Sequence, residues 1–417
     1  MSNLRISRRA ADRLRSGHLW VYRTDIEGGP GAEQTEPGAL VTVTDSRNIP
    51  LGTALYSSAS TIAARIISRT PETSRAQYLV ELRARVHAAV QLRRTLAPVT
   101  DDANAYRLIF SEADGLPGIV ADRYNDLVLL QLLTQGTAQD DVRGVVTDAL
   151  RDALTVDGQA LTLWERPDPR IRELEQLAAP PAGALFSTAV NAADAPTTTT
   201  FLLNGLRFHY DAASGQKTGA FLDQRLNYAA AARVVAASGK TAKALDVCTY
   251  QGGFALHLAQ VCAKVTGVDA SHAALEAADR NLLLNPRLAE RCETDWIEAD
   301  AFEYLRHLDA MPETFDAIVL DPPAFAKSKR AAEGALRGYK ELNLRAIRML
   351  NAGGTLITNS CSHHVSLEEF TAIVGAAAAD AGRRVQLLEI HAAAPDHPEV
   401  LTLPETRYLK CLICRVD

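Results

Sequence analysis

The chain has 417 residues, of which 47% are hydrophobic and 23% charged, with a formal net charge of −6. Domains run to about 100–200 residues, so this length excludes a single ordinary domain and gives two or three, of which three are expected. No stretch approaches the ~18 apolar residues of a membrane span and the N-terminus lacks a secretory signal's apolar core, so a cytoplasmic protein with reduced thiols is expected.

Residues 1–73 open with the helical segment SRRAADRLRSG, followed by strand-like ALVTVTD, LGTALYSS and TIAARIISR. Turn-rich stretches separate them, which predicts a small β-rich barrel. Residues 74–190 begin with RAQYLVELRARVHAAVQLRRTL, apolar at helical spacing and free of Pro and Gly. Next, YRLIFSEADGLPGIVADRYNDLVLLQLL reads as strand, turn and strand, AQDDVRGVVTDALRDAL as an amphipathic helix, and ALTLWERP as a further strand. A compact α+β domain follows from that order. PPAGALFSTAVNAADAPTTTT is a candidate linker, and FLLNGLRFHYD carries an Asn-Gly hairpin signal.

In residues 191–417, strands KALDVC, KVTGVD, DWIEA, FDAIVLD and GGTLITNS alternate with Ala/Leu-rich helical segments. This alternation predicts an α/β domain with a doubly wound, Rossmann-like parallel sheet. RVQLLEIHAA and RYLKCLICRV have only a loop between them and predict a closing hairpin. Cys411 and Cys414 share a CxxC spacing inside that last strand, with no second CxxC or His pair nearby; strand packing is expected there and no metal site.

Charge is unevenly spread. Residues 1–23 hold six arginines against one aspartate, and residues 327–348 hold seven Lys or Arg against two Glu. Such runs suit a polyanion, although either could be a solvated helix face.

Ligands of open α/β sheets bind beyond the carboxyl ends of the strands, so the residues there belong together. DVCTYQGGF supplies Asp246 and a turn with Gly252 and Gly253, where backbone can approach a ligand. Asp269, ending VTGVD, sits where a carboxylate accepts from a ribose diol, pointing to an adenosine ligand. Asp300 in EADAF suits either an adenine amino group or a helix N-cap. In DPPAF, two prolines stiffen the backbone beside Asp321, presenting a carboxylate and carbonyls to a planar base.

Together, SGQKTGAFLDQR, DVCTYQGGF, VTGVD, EADAF, DPPAF and TNSCS resemble the class I S-adenosylmethionine-dependent methyltransferases. More closely, the chain resembles the bacterial 23S ribosomal RNA 5-methylcytosine methyltransferases over nearly its whole length, with EADGLPGIVADRY and DHPEV…PETRYLK also matching. The resemblance implies a PUA domain, a central α+β domain and a Rossmann-like domain that binds S-adenosyl-L-methionine. It implies that Lys217, Thr218, Gly219, Asp223, Gln224 and Arg225 enclose the cofactor. Tyr250, Gly252 and Gly253 would line its methionine side with Asp246 nearby, Asp269 its ribose, and Asp300 with Ala301 its adenine. Asp321 would meet both methyl donor and target base, and Cys361 matches the nucleophile's motif.

A nucleophile is needed because carbon 5 of cytosine is unreactive until a thiolate adds to carbon 6. Pro322, Pro323 and Phe325 would then contact the base, and Lys327, Lys329 and Arg330 would hold phosphates of an RNA partner, 23S RNA or an assembly intermediate. Many RNA 5-methylcytosine enzymes have a second cysteine directly after this motif, where the chain has Ala324. The base that takes the final proton is unassigned; His363 and His364 are candidates. Methyl transfer to guanine or an exocyclic nitrogen without a covalent step, and a non-catalytic RNA-binding assembly protein, are the alternatives. A dinucleotide oxidoreductase is more distant, since the glycine turn is atypical. Homodimerisation is left open.

Overall fold

The computed structural model describes residues 2–27, 35–155, 160–189, 194–213, 219–325 and 332–417. These fall into two compact units. The first comprises Met1–Phe201, Tyr210–Gly219 and Pro395–Thr406; the second comprises Leu202–His209, Ala220–Ala394 and Arg407–Asp417. No helix among the described residues is long and apolar enough to cross a membrane.

The first unit holds two five-stranded sheets. One is built from β1 (Ser2–Arg5), β2 (Trp20–Tyr22), β3 (Leu40–Thr44), β4 (Pro50–Tyr56) and β5 (Ile62–Ser68), in the order β1-β3-β4-β5-β2. The helix Arg8–Arg15 starts at Ser7, whose hydroxyl accepts from the Ala10 N–H, and buries Ala10, Ala11 and Leu14 with Leu4, Ile6, Val41 and Val43. Much of the N-terminal basic run is engaged internally. Arg5, Arg13 and Arg15 pair with Glu27, Asp25 and Asp45, and Arg23 donates to the carbonyls of Ser57 and Ser60.

The other sheet comprises β6 (Ala105–Phe110), β7 (Ile119–Tyr124), β8 (Leu127–Leu132), β9 (Thr162–Glu165) and β10 (Phe186–Ser187), ordered β10-β9-β8-β7-β6. Helices Arg75–Leu96 and Asp140–Leu154 bury Leu82, Val86, Val146 and Leu150 in its core. The stretch read as a linker thus contributes an edge strand: Leu185 and Phe186 pack against that core, a tertiary contact that overrides the weak local pattern.

Arg93, with no exposed surface, makes a two-pronged pair with Asp114 at 2.5 and 2.8 Å. It also donates to the carbonyls of Arg107 and Asp396 at 3.2 and 2.9 Å. Asp396 belongs to the connection between the last two strands of the chain, and its own carboxylate accepts from the Arg107 N–H at 2.8 Å.

A hairpin of β11 (Thr198–Leu203) and β12 (Leu206–Asp211) turns at Asn204 and Gly205, both at positive φ, as an Asn-Gly turn requires. The second unit is then built on β13 (Lys243–Val247), β14 (Lys264–Asp269), β15 (Glu293–Glu298), β16 (Phe315–Leu320), β17 (Leu350–Ser360), β18 (Val385–His391) and β19 (Lys410–Val416). Their order is β15-β14-β13-β16-β17-β19-β18. The first five strands in this order are parallel; β19 pairs antiparallel with both β17 and β18, so the closing hairpin inserts its second strand beside the parallel set. Strand order reverses between β13 and β16, which opens a crevice at their carboxyl ends. Cys411 and Cys414 lie buried within β19.

Removing one partner of a buried ion pair strands the other charge, at a cost of about 3–5 kcal/mol. Arg93→Ala is therefore expected to lower the stability of the protein by about that amount in urea unfolding followed by circular dichroism. A loss below about 1 kcal/mol would show that solvent or a neighbour replaces the guanidinium.

Candidate active site

Five chain positions converge at the carboxyl edge of the second unit's parallel strands: Asp246, Asp269, Asp300, Asp321 and Cys361. The first, Asp246, has no exposed surface. Its Oδ2 accepts from the Thr249 hydroxyl at 2.6 Å and the Ala255 N–H at 2.9 Å, bracing both ends of the glycine turn. Within this turn Cys248, Tyr250 and Gly252 all have left-handed backbone, with φ of 64, 51 and 86°. Only glycine adopts that conformation without strain, and the other two are held by bonds on either side. Thr249 N–H donates to the Val268 carbonyl, and Tyr250 N–H donates to Asp269 Oδ2, each at 2.9 Å. Gly253 starts the helix Gly253–Ala259 against Tyr228, where a Cβ would lie 2.5 Å from the ring.

Asp269 also accepts from the Ser271 N–H through Oδ1. Asp300 is exposed and caps the helix Ala301–Asp309, its Oδ1 accepting from Phe302 and Glu303 N–H at 2.9 and 3.1 Å. Ala301, half-buried, is the first residue of that helix.

Asp321 follows β16 directly, and its N–H donates to the Val247 carbonyl. Gln224, buried, donates to Asp321 Oδ1 at 3.1 Å and accepts from Asn227 at 2.6 Å. Asp223 accepts from the Tyr408 hydroxyl at 2.5 Å through its carboxylate and from the Ala394 N–H through its carbonyl. Arg225, buried, begins the helix Arg225–Ser238. Pro322 is buried and Pro323 exposed, while Phe325 packs between Phe302 and Tyr339 with ring centroids 5.8 and 4.8 Å away. Gly219 belongs to the first unit. Lys217, Thr218, Lys327, Lys329 and Arg330 lie outside the described residues.

Cys361, half-buried at the end of β17, has its Sγ 3.9 Å from the Pro322 carbonyl. Both flanking serines bond the same phenol: Ser360 Oγ donates to Tyr339 Oη, and Ser362 Oγ shares a bond with it, each at 3.0 Å. Asn359 ties this tip to β16 by donating to the Leu320 carbonyl at 3.1 Å. Tyr339, from the helix Ala332–Met349, escaped the sequence reading, although the serines on either side of the thiol were its signal. His363 and His364 are exposed, and the His363 ring lies 5.5 Å from that of Tyr408.

Electrostatics follow from the crowding of carboxylates in a desolvated place. Burial pushes Asp246 up to about 7, offset in part by its bonds to Thr249 and Ala255. Asp321 is raised well above the ordinary carboxylate range by burial first, then by Asp246 and Asp223. Burial, with Asp321 and Asp223, also pushes the Cys361 thiol up to about 11, and Lys410 pulls it down.

A family model described as S-adenosylmethionine-dependent methyltransferase matches residues 141–413. The chain belongs to that family. S-adenosylmethionine is accordingly its cofactor, and the site suits it: Asp246 Oδ1 is buried and receives no hydrogen bond from any described residue. Asp269 accepts from two backbone N–H groups and retains acceptor capacity, since a carboxylate offers about four acceptor sites. A PUA-like domain model matches residues 4–69 of this methyltransferase. It is 36% identical to "Ribosomal RNA large subunit methyltransferase I" of Photobacterium profundum, over 97% of this chain and 96% of that one. A protein of the same name from Escherichia coli is 35% identical, over 96% and 95%. Among solved structures, a Streptococcus mutans chain described as a SAM-dependent methyltransferase superposes with a TM-score of 0.78 at 19% identity, covering 100% of both chains. That likeness covers the fold of the whole chain.

Asp246 keeps its proton in the folded methyltransferase up to about pH 7. An unfolded aspartate releases it near ~3.9, so the folded state binds the extra proton between the two values. The stabilisation is complete below about pH 4, is lost as pH rises to about 7, and is level above. Asp321 acts in the same sense. In Asp246→Asn the slope of unfolding free energy against pH in ligand-free protein should flatten by up to about 1.4 kcal/mol per pH unit across this window. Urea titrations at a series of pH values measure it, and an unaltered slope would show the carboxyl is ionised throughout.

Proposed function

We propose that this methyltransferase acts on large-subunit ribosomal RNA and places a methyl group on carbon 5 of a cytosine in 23S RNA, with Cys361 as covalent nucleophile. Support for an RNA substrate comes from the relatives named as ribosomal RNA large subunit methyltransferases and from the PUA-like match. The observation that carries the cytosine reading is the pairing of Cys361, at the tip of β17, with the Asp321–Pro322 corner at the tip of β16.

When bound, S-adenosylmethionine supplies the electrophilic methyl group. Asp246 and the turn at Gly252 and Gly253 would hold its methionine side, with Tyr250 beside them. Asp269 would take the ribose, and Asp300 with Ala301 the adenine edge. Lys217, Thr218, Gly219, Asp223, Gln224 and Arg225 complete the enclosure in this reading. Cys361 as thiolate adds to carbon 6 of the cytosine, which makes carbon 5 enamine-like. Asp321, kept protonated by burial and its acidic neighbours, donates to ring nitrogen 3 and draws electrons from carbon 6 during attack. Gln224 orients this carboxyl by its bond to Oδ1. Carbon 5 would take the methyl group, with S-adenosylhomocysteine as the leaving product, and transfer of its proton to a base would restore the double bond and expel the sulfur as thiolate. Pro322, Pro323 and Phe325 shape the base's corner, while Lys327, Lys329 and Arg330 hold backbone phosphates. The target base is unstacked to reach this depth.

One observation favours a second reading, transfer to guanine or an exocyclic nitrogen without a covalent step: the thiol is pushed up to about 11, leaving little thiolate at neutral pH. Nucleoside mass spectrometry of unmodified 23S RNA treated with S-adenosylmethionine and either wild type or Cys361→Ala separates the two. New 5-methylcytidine from wild type and at least about a hundredfold less from Cys361→Ala is expected, because nucleophile removal abolishes covalent catalysis. A methylated purine formed equally by both proteins would discard the covalent reading.

A further inference from the structure

Lys410 opens β19, a strand otherwise written in apolar residues and cysteines up to Arg415, and it is only 5% exposed. Its ammonium donates to three backbone carbonyls, those of Ser362 at 2.7 Å and of Val365 and Tyr408 at 2.8 Å. Among the described residues it has no carboxylate within ion-pairing distance. Burying an ammonium without a counter-ion is costly, and a leucine or methionine would fill a strand position at far lower cost. The charge therefore calls for a purpose beyond packing.

Two of the three acceptors, Ser362 and Val365, belong to the turn that directly follows Cys361. Lys410 itself stands opposite Ser360 in the register of β17 and β19, one residue before the thiol. The nucleophile's turn is thus held from one side by Tyr339 through the two serines and from the other by Lys410 through the backbone. The groups acting on the thiol come from several elements. Asp321 after β16 and Asp223 before the helix Arg225–Ser238 oppose its ionisation, whereas Lys410 favours it. Tyr339 bears on it from the helix Ala332–Met349, and Glu369, from the helix Leu367–Ala381, acts on Lys410. Lys410 is the one cation in that set, and burial draws it down to about 8, so it is charged at neutral pH.

We propose that Lys410 is the positioning residue of Cys361: its ammonium fixes the Ser362–Val365 turn and sets a positive charge against the thiolate. The inference rests on the reading of Cys361 as nucleophile. The thiol gives its proton to water, and the sulfur keeps the electron pair that attacks carbon 6. Asp321 and Asp223 oppose that charge and Lys410 favours it, so the lysine's field sets how much thiolate is present when the base arrives.

The test uses full-length protein and iodoacetamide, with alkylation at Cys361 followed by peptide mass spectrometry across a pH series in wild type, Lys410→Met and Lys410→Arg. A single nearby charge moves a pKa by about 1–3 units, so below pH 8, where Lys410 is charged, Lys410→Met should slow Cys361 alkylation roughly tenfold, and the gap should close as pH rises through about 8 and the lysine loses its proton. Lys410→Arg, which keeps the charge, should restore most of the rate and hold it above pH 8. A merely structural role would change the rate at every pH alike, and that result overturns the proposal. Should Lys410→Met not fold, Lys410→Gln removes the same charge while keeping amide donors, and the same pH dependence of the gap decides. Failure of the nucleophile reading is seen separately, as 5-methylcytidine still formed by Cys361→Ala, because alkylation does not depend on methyl transfer.

Discussion

The buried carboxylate of Asp246 is the constraint on which the cofactor end of the second unit depends. One of its oxygens ties the hydroxyl of Thr249 to the first turn of the following helix, and the backbone between them can then pass through two left-handed residues, Tyr250 and Gly252. Such backbone persists only where its surroundings over-determine it. Asp269 supplies the matching restraint from β14 by accepting from the Tyr250 N–H. The turn is shaped by two acids on neighbouring strands, and its glycines only make the path passable.

Gathering acids at one edge of a sheet has an electrostatic outcome. Like charges in a desolvated place cannot all ionise, so the most enclosed members keep their protons. Here those are Asp246 and Asp321. A protonated Asp321 is a donor, which suits a ring nitrogen; an ionised one would repel the thiolate that the proposed chemistry requires. The same enclosure works against Cys361, and the lysine on the adjacent strand is the element of the fold that counters it.

Much of this was legible in the sequence. Strand and helix alternation led directly to the parallel sheet, and the residues just past each strand were the ones the fold brings together. Asp300 shows the limit: an acid before a helix satisfies N–H groups whether or not a ligand is near, and here it does cap the helix. Tyr339 and Lys410 were not recognised, since each acts through a partner distant in sequence, 21 residues for Ser360 and 48 for Ser362. A lysine interrupting an apolar strand and two serines bracketing a thiol are visible marks, but their meaning appears only when the strands pair. The edge strand at Phe186–Ser187 was hidden for a similar reason, its composition being that of a loop.

The excursion at Pro395–Thr406 bears on how the polypeptide is made. Arg93 and the Asp396 carbonyl it meets are separated by 303 residues, and the Arg107 N–H and its Asp396 partner by 289. Chains emerge from the ribosome at about 5–20 residues per second, so the first unit waits for tens of seconds before these acceptors arrive. During translation its guanidinium relies on Asp114 and the Arg107 carbonyl, and the last of its bonds forms only once nearly the whole polypeptide has emerged. The two compact units are therefore not independent products of synthesis in order: the one that begins first is also finished among the last.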